Sequence, residues 1–371
     1  MSVVAGRLVL DETISPGRIH IEEGRIAAVE PDPGSIGGPL VAPGFVDLHV
    51  HGWGGHDAMG GSGALDGMAR GLLRQGVTSF LPTAVTASLD TLRAFADAVR
   101  AWMPASPADG AAPLGFNLEG PFISPHRTGA QNPAHVAVPA ADGFEALGPL
   151  VTGLRVMTLA PEIPGGLDLV RWLAARGVAP SLGHSAATLE EAQAGYAAGA
   201  RTTTHLFNAM TGVHHHAPGL ALAALVDDAV YVELIADGQH VHPSLWPLIA
   251  RTKPADRLIL VSDALPLAGT GDGRARVGEM TVEIAGGRAV LAGTNTLAGS
   301  VIALDSAVRN LVRAGFPLPA AIAAASRNPL ALLGVTDRGR IAVGRRADLV
   351  ELDDDLVVRG VIREGERISP R

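Results

Sequence analysis

The 371-residue chain is expected to be an α/β protein: a (β/α)8 TIM-like barrel joined to a small β-sandwich made from both termini. Short apolar runs alternate with helical patterns through the middle of the chain. Both ends share a different, strand-and-turn texture, and several apolar runs end on a lone histidine or carboxylate. In a parallel barrel all such strand ends lie on one rim, so residues far apart in sequence converge there.

The first 43 residues alternate in strand-like stretches at 17–21 and 24–29, with turn residues between them. The same texture returns at 339–343, 347–352 and 357–362. Residues 1–43 and 335–371 are therefore expected to form the small domain, and 44–334 the barrel. Eight strands are expected within the barrel, at 45–51, 78–83, 114–119, 154–159, 178–184, 202–206, 231–236 and 258–263. Helical patterns at 65–75, 89–102, 167–176, 189–198 and 243–252 follow the first, second, fourth, fifth and seventh of these. Gly76, Gly177 and Gly199 close three of the helices, as a left-handed C-cap would. A doubly wound sheet is the competing architecture, but no Gly-rich dinucleotide fingerprint follows the first strand. After the eighth strand, residues 269–299 are Gly-rich, with two β runs around Gly286 and Gly287. This pattern predicts a hairpin inserted on the rim. Helices are expected from 300 to 333.

Composition narrows the functional classes. With 47% hydrophobic and 18% charged residues, the chain can bury a large core and is not disordered. A net charge of -8 offers no attraction to a phosphate backbone or an anionic membrane, so neither nucleic acid nor membrane is an expected partner. The chain has no cysteine, which excludes disulfides, thiolate nucleophiles and sulfur-ligated metals. No signal-peptide pattern or membrane-length apolar run is seen, so the expected location is the cytoplasm.

His49 and His51 lie two apart on one strand and so share a face. An isolated His-x-His is more often a pair of satisfied histidines than a metal site. Glu119 ends an apolar run with no Lys or Arg nearby in sequence, and a buried lone carboxylate is costly unless paired or bound to a cation. His184 and His205 end adjacent strands, and either alone would usually be a core histidine. Together with Glu119 they make a three-ligand set that leaves a position open for water. Asp263, ending the last strand, is the candidate general base, with a helix cap or loop ion pair as its structural alternative. His240, after the seventh strand, is placed to polarise a substrate carbonyl, or is simply a loop histidine. The run His214-His215-His216 is a loop facing substrate, a subunit neighbour or solvent.

Taken together these motifs resemble the N-acetylglucosamine-6-phosphate deacetylase family of the amidohydrolase superfamily. The likeness runs through Pro43–His51–Gly52, Leu118–Phe122, Gly183–Ser185, Thr204–Met210, Ala236–His240, Ser262–Ala264 and Leu297–Ser300. The resemblance implies a metal held by Glu119, His184 and His205. Because His49 and His51 are both present, it also implies a second ion touched by them, Glu119 and Asp263. Zinc is the first choice; iron(II), cobalt and manganese also accept such a shell. It further implies Asp263 as acid/base, His240 on the acetamide carbonyl, and sugar contacts from Ala130, Gln131, Asn208, Ala209, His216, Leu297, Ala298 and Gly299. The expected partners are an amino-sugar substrate and a second copy of the chain, as a homodimer. Two positions depart from the family: His216 replaces an arginine that crosses the dimer interface to the phosphate, and Gln131 replaces a histidine. The expected reaction is N-acetylglucosamine 6-phosphate deacetylation. The same chemistry on an unphosphorylated N-acetyl sugar or other N-acyl amine is the near alternative, and a metal-free scaffold barrel is the distant one.

Overall fold

The computed structural model describes residues 2–140 and 144–368 and is organised around eight parallel strands. These are β1 (Phe45–Val50), β2 (Val77–Ala84), β3 (Phe116–Glu119), β4 (Leu154–Leu159), β5 (Ala179–Leu182), β6 (Thr202–Thr203), β7 (Tyr231–Leu234) and β8 (Leu258–Leu260). Each pairs with the next, and backbone bonds from Asp263 N to His49 O (2.8 Å) and from His51 N to Ala264 O (2.9 Å) join the last strand to the first. This is the expected (β/α)8 barrel.

The barrel interior is aliphatic at one end, where Val46, Leu48, Leu81, Val156, Ile259 and Val261 meet Leu330 and Leu332 of the helix Arg327–Leu332. A larger apolar layer lies between the strands and the outer helices. Helix Leu89–Trp102 shows how sequence places these helices. Ser88 accepts from Thr91 N at its start, and Asp90 and Arg100 complement the two ends of the helix dipole. Leu92, Phe95, Ala96, Val99 and Trp102 recur at helical spacing and are buried. Phe95 meets Phe116 of β3 edge-to-face, with centroids 5.7 Å apart, so truncating it to alanine would cost about 3–5 kcal/mol.

The termini form one seven-stranded sheet. Leu40–Pro43 and Leu349–Leu352 pair antiparallel at its centre, and Ser2–Val9, Ile14–Glu22 and Arg25–Pro31 continue on one side. Val358–Arg363 and Glu366–Ile368 continue on the other. The sheet folds over its own core of Val4, Leu8, Ile19, Ile26, Leu349 and Ile362, and the turn at Gly24 is tied to the segment before Leu349 through Ala347 N to Gly24 O (2.8 Å). The run 339–343, expected as a strand, is irregular; Ile341 instead plugs this core as a single side chain.

Two helical or β features differ from expectation. Residues 220–226 form a helix, Leu220–Val226, not foreseen after the sixth strand. The rim insert is a three-stranded sheet rather than a hairpin: β9 (Gly273–Val277), β10 (Met280–Ala285) and β11 (Arg288–Leu291). Its first strand buries only Val277, so it carries no apolar alternation to announce it.

Candidate metal centre

The strands stop short of the residues expected to end them. β5 ends at Leu182, β6 at Thr203 and β8 at Leu260, whereas His184, His205 and Asp263 lie beyond, at φ +46°, +29° and +49°. Left-handed backbone at a non-glycine residue costs about 1–3 kcal/mol, and such strain gathers at functional sites. These turns re-aim the side chains into the mouth of the barrel. On β1 a different device acts. Val46 and Leu48 face the interior but Val50 the outer layer, and pairing with β2 slips between Asp47 and Val50. The slip brings both His49 and His51 into the mouth.

The groups converge on Glu119. Its Oε1 lies 3.0 Å from His184 Nε2 and 2.9 Å from His205 Nε2, and those two nitrogens are 3.1 Å apart. Its Oε2 lies 3.2 Å from His51 Nε2, while His49 Nε2 is 3.6 Å from Oε1. Asp263 Oδ1 stands 3.1 Å from His51 Nε2 and 3.5 Å from His49 Nε2. Edges of about 3 Å are those of a coordination shell whose ligands sit about 2.1 Å from a cation. Two sets, Glu119–His184–His205 and His49–His51–Glu119, have this compactness, and all their members are buried.

Partners behind the ligands fix which nitrogen faces inward. His184 Nδ1 is 2.9 Å from Arg127 O, and His51 Nδ1 is 3.1 Å from Thr83 O, leaving each Nε2 for the centre. His49 Nδ1 is 3.4 Å from Glu233 Oε2. Thr86 Oγ1 donates to Glu119 O at 2.8 Å, and a Cβ on Gly120 (φ +89°) would lie 2.1 Å from that hydroxyl, so the position requires glycine. Gln131 donates from Nε2 to Glu119 Oε2, and its Oε1 accepts from Thr86 N at 2.8 Å.

Electrostatics points the same way. Burial pushes the Glu119 carboxyl up, but His49, His184 and His205 outweigh it and hold it well below the usual range. Burial pushes His51 down, yet Asp263 and Glu119 raise it to about 9, and His49 is raised likewise by Glu119 and Asp263. Burial also raises Asp263, but His49 and His51 bring it below its ordinary value. The ionised Glu119 and Asp263 therefore favour positive charge beside them, and a divalent cation would take the place of the protons they hold on His49 and His51.

A cavity of about 390 Å³ opens over this centre. His51, Glu119, His184, His205, Asp263 and His240 line it, as do Ala130, Gln131, Asn208, Ala209, Leu297, Ala298 and Gly299. His49 lies just behind, fully buried. His216 is exposed and lies outside the cavity lining, in contact with the rings of His214 and His215. Three residues escaped the sequence reading. Glu233 is fully buried behind His49, Asp47 accepts from His49 N (3.2 Å) and Ser262 N (3.3 Å), and Asp237 binds His240 Nδ1 at 2.7 Å. Glu233 and Asp47 carry the same signal as Glu119, a lone acid in an apolar strand.

A parallel barrel with histidines and carboxylates gathered on its rim defines a hydrolase of the metal-dependent barrel class. The chain belongs to the amidohydrolase family, whose model matches residues 40–368. It acts on an amide, as that family does. It is 38% identical to the N-acetylglucosamine-6-phosphate deacetylase of Bos taurus, covering 98% of this chain and 90% of the relative. It is also 38% identical to the N-acetylgalactosamine-6-phosphate deacetylase of Escherichia coli O157:H7, covering 98% of each. The crystal structure of N-acetylglucosamine-6-phosphate deacetylase from Thermotoga maritima superposes with a TM-score of 0.93 at 35% identity, covering 100% of both chains.

Proposed function

We propose that this protein removes the acetyl group of N-acetylglucosamine 6-phosphate by hydrolysis, giving glucosamine 6-phosphate and acetate. The single observation that carries the reading is the convergence of Glu119, His184 and His205 beneath a cavity that also presents Asp263 and His240. Relatives that are 38% identical over 98% of this chain and bear this activity by name support it.

Glu119, His184 and His205 would hold a divalent cation, and His49 and His51 with Glu119 would hold a second. Zinc is the first choice, with iron(II), cobalt or manganese also compatible; such a cation polarises the acetamide carbonyl and acidifies water. Asp263 is ionised and aimed at the centre, so its carboxylate takes the proton of the attacking water and delivers it to the leaving amine nitrogen. The C–N bond breaks as that nitrogen is protonated, and acetate and the free amine part. His240 is anchored through Nδ1 to Asp237, which leaves Nε2 to donate to the carbonyl oxygen as charge develops on it. Asn208, Ala209, Ala130 and the Leu297–Gly299 segment form the walls that orient the sugar. Gly299, at φ +56°, passes so close to Asp263 O that a Cβ there would lie 2.8 Å away. We further infer a cytoplasmic homodimer as the working form, on the family resemblance.

Acetate release measured with N-acetylglucosamine 6-phosphate and with N-acetylglucosamine tests the reading. A kcat/KM at least tenfold higher for the phosphorylated sugar is expected. The unphosphorylated alternative draws on two observations: His216 lies outside the cavity, and Gln131 is engaged with Glu119 and Thr86. Equal rates on the two sugars would favour it. The galactosamine epimer belongs in the same assay, because the E. coli relative is equally similar.

A further inference from the structure

Among the described residues, Arg288 is the one lysine or arginine that lines the cavity. The remaining formal charges on that wall are the carboxylates of Glu119, Asp263 and Glu279 and the histidines of the centre. Glu279 is turned to the far loop, where Asn132 Nδ2 (2.8 Å) and His135 Nε2 (3.0 Å) bind it. A phosphate dianion entering a chain of net charge -8 needs a cation at its seat, and Arg288 is the group in position.

The fold fixes Arg288 there. It opens β11, directly after the turn at Gly286 and Gly287. Gln239 Nε2 donates to Gly287 O at 3.0 Å, which ties this turn to the loop that carries His240. Gly286 N donates to Asp272 Oδ1 at 3.0 Å, closing the insert on itself. On the other flank, Ala298 N donates to Ala289 O (3.2 Å) and Val290 pairs with Leu297. That ladder lays β11 beside Leu297–Gly299, and Ser300 N in turn binds Asp263 O at 2.7 Å. Arg288 thus stands between the His240 loop and the segment leading to Asp263. Among the described residues, no carboxylate or carbonyl accepts from its guanidinium, whereas Arg274 of the same sheet is paired with Glu283. An exposed, unpaired guanidinium on a cavity wall offers the two-pronged donor set that phosphate oxygens accept.

We propose that Arg288 reads the 6-phosphate, so that phosphate selection is built into this chain's own three-stranded insert. The inference rests on the proposed sugar-phosphate substrate. Its test is the ratio of kcat/KM for N-acetylglucosamine 6-phosphate over N-acetylglucosamine, in wild type, Arg288→Ala and Arg288→Lys. Loss of a charge-assisted contact should lower that ratio roughly 10- to 100-fold in Arg288→Ala, chiefly through KM for the phosphorylated sugar. Arg288→Lys should recover part of it, since a point charge replaces the fork. A ratio within threefold of wild type in Arg288→Ala overturns the proposal, including the case where both activities fall together because the insert has been disturbed. A wild-type ratio near one overturns the sugar-phosphate reading itself, and the Arg288 role with it. The wild-type arm and the variant arms therefore report the two failures separately.

Discussion

The two oxygens of Glu119 face differently built halves of the site. On the Oε1 side stand His184 and His205, each aimed by a left-handed turn after its strand, with no second carboxylate between them. On the Oε2 side stand His51 and the donor Gln131 with Asp263 beside them, while His49, 3.6 Å from Oε1, lies between the two halves. The first half is a ligand set and little else. The second combines ligands with a carboxylate that can move a proton, so binding and proton transfer are separable by mutation.

Glu119 belongs to both halves, and removing its charge should have the largest effect. In Glu119→Gln, bound metal should fall to background by elemental analysis and kcat/KM by at least about 1,000-fold, as expected when a ligand and its cation go together. Near-normal metal content would place the ion elsewhere. Asp263→Asn should separate the halves. Metal should stay within a factor of two of wild type while kcat falls by roughly 100- to 10,000-fold, the range for losing a general acid or base. Wild-type turnover in that variant would remove Asp263 from the chemistry.

The histidines sharpen the contrast further. His184→Ala should empty the site, whereas His51→Ala should leave the ion of the Oε1 half in place and lower kcat more modestly, about 10- to 100-fold. Identical metal loss in the two variants would merge the halves into one. Gln131→Leu removes only a donor to Oε2, so an affinity loss of about tenfold is expected in a metal titration. An unchanged titration would leave Gln131 no part in holding Glu119.

The smallest effect should be a shift of pH profile. Burial pushes His240 down, but the Asp237 carboxylate on Nδ1, helped by Asp263, holds it above its ordinary range. A protonated His240 is therefore retained as pH rises, until its raised pKa is passed. Asp237→Asn withdraws that support, and the alkaline limb of kcat/KM should move to lower pH. A limb that stays put would assign it to another group.

Much of this arrangement was legible in the sequence. The strand Leu154–Leu159 and the helix Leu89–Trp102 fall where pattern placed them, because apolar spacing and flanking caps agree there. The lone polar residues closing apolar runs were legible for the same reason: nothing local explains their burial. Sequence could not show that His184, His205 and Asp263 lie past their strands, since left-handed backbone at a histidine or aspartate leaves no compositional mark. It also missed the helix Leu220–Val226. Five of its seven residues are buried, so a run apolar all round has no period to separate helix from strand. The role of Gln131 was hidden for a third reason. Its partners Glu119 and Thr86 are joined to it only by the packing of two separate loops against the end of β3.

The most direct test strips the protein with chelator and returns zinc stepwise, following heat and acetate release from N-acetylglucosamine 6-phosphate in parallel. No turnover is expected before addition, with saturation of heat and activity at the same zinc ratio, and neither signal in Glu119→Gln. Full activity from the stripped protein, or zinc binding that survives Glu119→Gln unchanged, would contradict that expectation.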